Sequence, residues 1–177
     1  MNEPQPLDNP VKRFMADAML GRLARWLRIL GYDTAYEKDI PDERLIDRTL
    51  REDRWLLTRD WYLAQRNVLR GRHTLIASDE VQAQLLQLRR DLKIDLEEDH
   101  RRGYRCADCN VVLMGIPHDD AVPLVPPFVA RQFREFLQCP RCRRVFWPGT
   151  HWNDLLKRLT SMKEADPGHH ASEMDRP

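Results

Sequence analysis

The sequence predicts a three-layer α/β domain with a parallel sheet, followed by a small module that contains all the cysteines. Two observations lead to this prediction. Short apolar strands alternate with amphipathic helices over residues 11–98, which is typical of right-handed βαβ units with helices on both faces of a sheet. From about residue 99 the helical periodicity stops, prolines cluster and four cysteines appear. We therefore expect a loose tail over 1–10, a cysteine module over 99–150, and a short helix with a disordered tail over 151–177.

The length and charge of the chain narrow the class of protein. The chain has 177 residues and a formal net charge of +1, so it can bury a core but is not basic enough for charge alone to indicate nucleic acid. No apolar run approaches the length of a membrane span, and the opening residues MNEPQPLDNP lack the basic-then-apolar pattern of a secretory signal. We therefore expect a soluble cytoplasmic protein with no membrane partner.

The first strand is predicted over residues 11–16 and the following helix over 19–30, ended by Gly31. Leucines repeat along one face of this helix at the spacing of a buried stripe. The arginines fall on the opposite face, where we expect Arg25 and Arg28 to be solvated. The remaining strands are predicted over 33–36, 55–57 and 73–77, and the remaining helices are predicted to begin at Asp42, Trp61 and Ser78, the last with Ser78 as its cap.

The four cysteines form two pairs, Cys106-x2-Cys109 and Cys139-x2-Cys142, separated by 29 residues. In a cytosolic protein this spacing predicts a closed, tetrahedral, structural Zn²⁺ site, and thus a zinc ribbon over 99–150. Asn110 and Arg143 follow the pairs at tight-turn positions, and strands are expected over 111–113 and 145–147. Because the segment has few large apolar residues, we expect it to need its metal to fold.

Two roles are open for this ribbon: it could contact nucleic acid through its arginines, or it could be a metal staple that supports the neighbouring domain. The arginines concerned are Arg101, Arg102, Arg105, Arg141, Arg143 and Arg144. Nearby His151 is expected to be a surface or packing residue, because four cysteines already complete the zinc site.

Three aspartates are predicted to meet at one edge of the parallel sheet. Asp17 follows the first strand, Asp60 follows the third strand, and Asp42 opens a helix on the same side. Ligands of open α/β sheets bind outside the carboxyl ends of the strands. Two carboxylates about 5 Å apart at an effective dielectric constant of 20 repel by roughly 3 kcal/mol, so the group needs a shared proton or a divalent ion. All-oxygen ligands favour Mg²⁺ or Mn²⁺, whose chemistry suits phosphodiester hydrolysis.

Side chains next to these acids suggest a phosphate-containing substrate. Arg22 and Arg59 are candidates to hold phosphate, and the Thr58 hydroxyl is a candidate to bind the metal or steady Asp60. Trp61 and Tyr62 are candidates to stack a base, although core packing is the expected fate of Trp61. Asp47 is a weaker candidate ligand because it lies inside its helix.

These residues resemble a known family, the C-terminal ribonuclease domain of the Mut-seven exonuclease, which joins a PIN-like fold to a zinc ribbon. The resemblance is carried by FMADAMLGRLARWLRILGYDT, DERLIDRTLREDRWLLTRD, the two Cys-x2-Cys pairs and FWPGTHW. The PIN pattern, an Asp after the first strand, an Asp opening a helix and a Thr-x-Asp after the next strand, matches Asp17, Asp42 and 58–60. PIN nucleases also carry a further acid, for which the nearby candidates are Glu37, Asp39 and Glu43.

The resemblance implies an Mg²⁺- or Mn²⁺-dependent ribonuclease acting on RNA, with the ribbon helping to hold the substrate. Two alternatives come from other classes of protein. One is a non-catalytic RNA-binding module that kept the fold and lost its chemistry. The other is a ribbon that docks a protein partner.

Overall fold

A computed structural model of the protein describes residues 13–96 and 103–147. Its first sheet has four parallel strands in the order β2-β1-β3-β4. The strands are β1 Phe14–Ala16, β2 Thr34–Tyr36, β3 Trp55–Thr58 and β4 His73–Leu75. Phe14 is aligned with Thr34 on one side and with Trp55 on the other. β1 and β3 are therefore the two central strands, although β2 separates them along the chain.

Helices cover both faces of this sheet. They are α1 Gly21–Ile29, α2 Asp42–Arg51, α3 Trp61–Ala64 and α4 Val81–Leu92, with 3₁₀ turns at Ala18–Leu20 and Asn67–Leu69. Met15 and Leu56 on one face pack against Leu45 and Ile46 of α2 and Leu63 of α3. α1 packs on β1 and β2 and contacts α4. The predicted α/β class with a parallel sheet is confirmed.

Several predicted element boundaries shift in the structure. The helix predicted over 19–30 opens as a 3₁₀ turn and becomes α-helical only at Gly21. The fourth strand ends at Leu75. Ser78 is not the cap of α4, because the N-cap residue is Glu80; the Ser78 hydroxyl instead accepts a hydrogen bond from the Glu80 N–H at 3.1 Å. The predictions for 1–10, His151 and the helix after it lie outside the described residues.

The ribbon, residues 103–147, contains a three-stranded antiparallel sheet and lies in the same compact unit as the first sheet. Its elements are β5 Met114–Ile116, α5 His118–Ala121, a 3₁₀ turn Val122–Leu124, α6 Pro127–Gln132, β6 Phe136–Gln138 and β7 Val145–Phe146. Residues 111–113 do not belong to the three-stranded sheet, which begins at Met114. They pair instead with the residues before the first cysteine, through an isolated antiparallel bridge between Arg105 and Val112 and a hydrogen bond of 2.8 Å from the Cys106 N–H to the Val111 carbonyl. No helix among the described residues has the length and apolar character to cross a membrane.

A buried arginine ties together the amino ends of the central strands. The Arg54 side chain is 6% exposed, and its Nη1 lies 2.8 Å from Asp33 Oδ1 and 3.1 Å from the Phe14 carbonyl. Its Nε also pairs with Glu52. Burial opposes ionisation of Asp33, but the hydrogen bonds from Arg54 and Asn110 outweigh it and lower the pKa of Asp33 to about 2. The ionised pair therefore stabilises the fold fully above pH about 4, and its contribution is lost as the pH falls through about 2.

Replacing Arg54 with Met leaves Asp33 and Glu52 without their buried partner. We expect the free energy of unfolding, measured by urea denaturation, to fall by about 3 kcal/mol. Arg51→Met is the matched control, because the Arg51 side chain is 66% exposed and pairs with Asp47 on the helix surface; we expect it to change stability by less than about 0.5 kcal/mol. Equal losses in the two variants would contradict a structural role for the buried pair.

Candidate active site and metal centre

The order of the strands places a topological switch point between β1 and β3. From β1 the chain moves outward to β2, then returns past β1 to β3 and continues outward to β4. At such a reversal the loops that follow neighbouring strands run in opposite directions, which opens a ligand-binding crevice at the carboxyl ends. Asp17 follows β1 directly, and its N–H donates to the Leu57 carbonyl of β3 at 3.0 Å. We call residues 17–19 and 58–62 the β1/β3 edge.

Asp17 is 5% exposed and its carboxylate is held by three hydrogen-bond donors. Oδ1 accepts from the Met19 N–H at 2.8 Å. Oδ2 accepts from the Arg59 N–H at 2.9 Å and from the Thr58 hydroxyl. Asp17 forms no ion pair with any described residue. The carboxylate is therefore fixed in orientation, and Oδ1 keeps a lone pair for a ligand.

Thr58 joins Asp17 to Asp60. Its hydroxyl donates to Asp17 Oδ2 and accepts from the Asp60 N–H at 2.9 Å. The Asp60 carboxylate caps α3, because Oδ1 accepts from the Tyr62 N–H at 2.7 Å and the Leu63 N–H at 3.1 Å. Asp60 Oδ2 has no partner among the described residues. One hydroxyl group thus bonds both to the Asp17 carboxylate and to the Asp60 backbone.

Asp42 is the exposed first residue of α2 and follows the N-cap residue, Pro41. Its side chain bonds to no described residue. The connection from β2 places this helix start at the same edge of the sheet as Asp17 and Asp60. Within the described part of the chain, however, only one group of three or more side chains is close enough to share a metal ion, and it consists of cysteines. Their ligand atoms all lie within 4.8 Å of one another. The three aspartates do not form so tight a cluster.

The other acids near this edge differ in how they are paired. Glu37 lies 3.7 and 3.6 Å from guanidinium nitrogens of two α2 arginines, and Glu43 pairs with Arg66 at 2.8 Å. Asp39 occupies a left-handed turn position with φ 62°. Asp79, which sequence reasoning did not single out, is exposed shortly after β4 and has no partner among the described residues. Its position after β4, like that of Asp17 after β1 and Asp60 after β3, is the sequence signal that makes Asp79 a further candidate acid.

Cationic and aromatic side chains flank the acids. Arg22 is exposed and Arg59 is half-buried, and neither side chain forms a hydrogen bond or ion pair within the described residues. Trp61 is 57% exposed and Tyr62 is 80% exposed. The expected core packing of Trp61 is therefore wrong. The short helix α3 directs its next residues into the core, where Leu63 is only 3% exposed.

The four cysteines form the tight group: their sulfur atoms all lie within 4.8 Å of one another. Cys106 Sγ and Cys142 Sγ are 3.7 Å apart, close to the roughly 3.8 Å between ligands of a tetrahedral site with Zn–S bonds of about 2.3 Å. The backbone N–H groups of Cys109 and Cys142 point at the sulfurs of Cys106 and Cys139, at 3.4 and 3.5 Å. The residues predicted at tight turns have φ of 61° at Asn110 and 63° at Arg143. The geometry fits a zinc ion.

Thiol chemistry agrees with this fit. Desolvation and hydrogen bonding to the other cysteines raise the pKa of Cys109 to about 12. Without a cation, the four thiols cannot all ionise near neutral pH. A bound zinc ion would stabilise the thiolates, because metal-ligating cysteines are deprotonated.

The first cysteine turn is fastened to the outer edge of β2. Arg28 is 5% exposed, and its guanidinium donates to the Thr34 carbonyl at 2.8 Å, the Ala107 carbonyl at 2.7 Å and the Asp108 carbonyl at 3.0 Å. Asn110 Oδ1 accepts from the Thr34 N–H at 3.1 Å. The expectation that Arg28 is solvated is wrong, because the ribbon covers that face of α1. The ribbon also satisfies an edge strand that would otherwise be exposed.

Among the ribbon arginines that the sequence singles out, Arg105 serves this attachment, whereas Arg144 makes an ion pair within the ribbon. Arg105 donates to the Gly31 carbonyl at 3.3 Å and the Asn110 carbonyl at 2.8 Å, and Arg144 pairs with Asp108. Arg141 and Arg143 are exposed, whereas Arg101 and Arg102 lie outside the described residues. The contacts of Arg28, Asn110 and Arg105 support the role of a staple, and the exposed Arg141 and Arg143 leave the nucleic-acid role open.

Comparison with known proteins gives one match. The family model described as the Mut7-C RNAse domain matches residues 12–159. This range includes both sheets, the three aspartates and the four cysteines, and the match confirms the family resemblance found in the sequence. Neither the curated proteins nor the solved structures contain a match to the chain.

We predict that removing zinc with a chelator exposes the edge of β2. The Thr34 amide should exchange with solvent at least about 10-fold faster, because its acceptor Asn110 belongs to the cysteine turn. Hydrogen exchange followed by NMR measures this. The amide of Leu56 in β3, which donates to the Arg72 carbonyl just before β4, is the control and should keep its protection.

Asn110→Ala in the zinc-loaded protein should reproduce the faster exchange at Thr34. Unchanged exchange at Thr34 after chelation, or equal acceleration at Leu56, would contradict a local clamp.

Proposed function

Because the chain belongs to the Mut7-C RNAse domain family, we propose that it is a ribonuclease that hydrolyses RNA phosphodiester bonds at the β1/β3 edge. The observation that carries this proposal is the Asp17 carboxylate. It is 5% exposed, is oriented by three donors and has no counter-charge within the described residues. The three donors offset part of the cost of burying this charge, and a bound cation would offset the remainder. The carboxylate lies at the crevice where an α/β sheet binds its ligand.

The residues at this edge fit a hard divalent ion. Asp17 Oδ1 and Asp60 Oδ2 keep lone pairs free, and Mg²⁺ typically takes one or two carboxylates and completes its shell with water and substrate phosphate. We propose that Asp17 and Asp60 hold the ion and that Asp42 supports it from the start of α2. When bound, Mg²⁺ or Mn²⁺ lowers the pKa of a coordinated water and neutralises charge on a phosphoryl oxygen.

The protein's own groups orient this chemistry. The Thr58 hydroxyl and the Arg59 N–H occupy Asp17 Oδ2, whereas Oδ1 accepts only from the Met19 N–H, so Oδ1 is the oxygen that would hold the ion. Asp60 is fixed through its cap on α3. The unpaired guanidinium groups of Arg22 and Arg59 are available to bind phosphate oxygens of the RNA. A site held in place before substrate arrives needs little reorganisation in the transition state.

We further propose that Cys106, Cys109, Cys139 and Cys142 bind one structural Zn²⁺ ion. Four cysteine ligands leave no open position, so the ion would take no part in hydrolysis. Its role would be to hold the turn that carries Ala107, Asp108 and Asn110 against Arg28 and β2. The ribbon then supports the sheet that positions the acids.

A second candidate function is RNA binding without cleavage. The spacing of the three aspartates favours this candidate, since their carboxylate oxygens do not form a group as tight as the four cysteine sulfurs. In that case alanine at all three acids would leave RNA affinity unchanged and no RNA would be cleaved by the wild type.

The variant Asp17→Asn is expected to slow RNA cleavage on the order of 10²–10³-fold, because it removes the charge that holds the ion while keeping the shape of the side chain. The initial rate of cleavage of labelled RNA in Mg²⁺ or Mn²⁺ measures this effect. Asp47→Asn is the matched control, because Asp47 is an exposed acid on α2 that pairs with Arg51; it should cleave at the wild-type rate.

Thr58→Val, which removes only the hydroxyl, should lower the rate about 10-fold or more without loss of the fold, as checked by circular dichroism. Wild-type rates in Asp17→Asn, or no cleavage of any RNA class by the wild type, would overturn the proposal.

A further inference from the structure

Two large aromatic side chains are exposed beside the acids. Trp61 and Tyr62 follow Asp60 directly and are 57% and 80% exposed. Their ring centroids lie 5.3 Å apart in an edge-to-face arrangement. Leaving this much apolar surface in water forgoes burial energy, and exposed aromatics next to polar groups commonly mark a binding surface.

The position of the two rings is fixed relative to the acids. Asp60 Oδ1 accepts the Tyr62 N–H at 2.7 Å, so the first turn of α3 is tied to the carboxylate. Leu63 and Ala64 are 3% and 5% exposed and anchor the same turn in the core. Trp61 and Tyr62 therefore cannot turn inward without unwinding α3. The surface is organised before any ligand binds.

A third apolar side chain lies in the 3₁₀ turn that follows β1. Met19 is 63% exposed, and its N–H donates to Asp17 Oδ1 at 2.8 Å. Each of the two linked acids is thus followed within two residues by an exposed apolar side chain. The unpaired cation Arg59 belongs to the second segment, and the unpaired cation Arg22 lies in the first turn of α1, three residues after Met19. These groups match the parts of a nucleotide in an RNA chain: the apolar surface suits a base, and the cations suit a phosphate group. The carboxylates would hold a divalent ion next to that phosphate.

We propose that Trp61 and Tyr62 form a stacking platform for an unpaired base of single-stranded RNA, next to the phosphodiester bond cleaved at Asp17 and Asp60. This inference rests on the proposed ribonuclease function and adds a substrate class to it. In a duplex both faces of each base are covered by its neighbours, so an aromatic platform can engage only a base that is free of the stack. The protein therefore selects single-stranded over double-stranded RNA.

The test is equilibrium binding of a short fluorescein-labelled single-stranded RNA to the zinc-loaded protein, followed by anisotropy. Ca²⁺ replaces Mg²⁺, and a gel confirms that the RNA stays intact. The double variant Trp61→Ala/Tyr62→Ala should bind about 10-fold more weakly, or worse, because a stacked base contributes roughly 1–3 kcal/mol. Trp61→Phe/Tyr62→Phe, which keeps both aromatic faces, should bind within about 3-fold of the wild type.

Phe128→Ala is the matched control, since Phe128 is a 61% exposed aromatic on α6 of the ribbon and should not affect affinity. A duplex of the same sequence should bind the wild type at least about 10-fold more weakly than the single strand and should not respond to the double alanine substitution. Wild-type affinity of the double alanine variant for single-stranded RNA, or equal affinity of the wild type for duplex and single strand, would overturn the stacking proposal.

Cleavage assays in Mg²⁺ separate this inference from the function on which it rests. A wild type that binds single-stranded RNA through the two rings but cleaves none would support stacking and contradict the ribonuclease proposal. Cleavage by the double alanine variant with unchanged KM and kcat would contradict stacking and leave the ribonuclease proposal standing. Both substitutions are on exposed side chains, so an unchanged Tm checks that the fold is intact.

Discussion

The hydroxyl group of Thr58 connects the parts of the candidate active site. It donates to the Asp17 carboxylate after β1 and accepts from the Asp60 N–H after β3. This geometry requires β1 and β3 to be neighbours in register, and the strand order β2-β1-β3-β4 makes them so. Two acids that lie far apart in sequence thus share one small polar group. The Asp60 carboxylate in turn caps α3 and so fixes the helix turn that carries the exposed rings of Trp61 and Tyr62.

Two sets of contacts hold the sheet that carries this edge. One lies at the amino ends of the strands, and the other joins the outer strand β2 to the ribbon. Arg54 joins Asp33 and the Phe14 carbonyl at the amino ends of the strands. Asp33 also accepts from Asn110 at 2.7 Å, which links that buried ion pair to the ribbon. Arg28 completes the attachment through the cysteine turn. The ribbon is therefore joined to the sheet that carries the acids through Arg28, Asn110 and Arg105.

A residue's position in the fold can be predicted from the sequence where the pattern that indicates it lies in neighbouring residues. Asp17 and Asp60 are candidate site residues because each follows a buried apolar strand, and the cysteine cluster is predictable because its members come in close pairs. Arg28 was misplaced, because helical periodicity puts it on the polar face and the ribbon that covers it comes about 80 residues later. Trp61 was misplaced because its apolar character predicts burial, whereas the short helix α3 buries Leu63 instead. The strand order, which decides where the crevice opens, has no local signal.

The central claim is that Asp17 and Asp60 hold a divalent ion, and calorimetric titration of Mn²⁺ into the zinc-loaded protein tests it most directly. We expect binding by the wild type and by Asp47→Asn, and loss of binding in Asp17→Asn and in Asp60→Asn, because each of the last two removes a charged ligand. Mn²⁺ binding that survives both substitutions, or its absence from the wild type with and without single-stranded RNA, would contradict this claim.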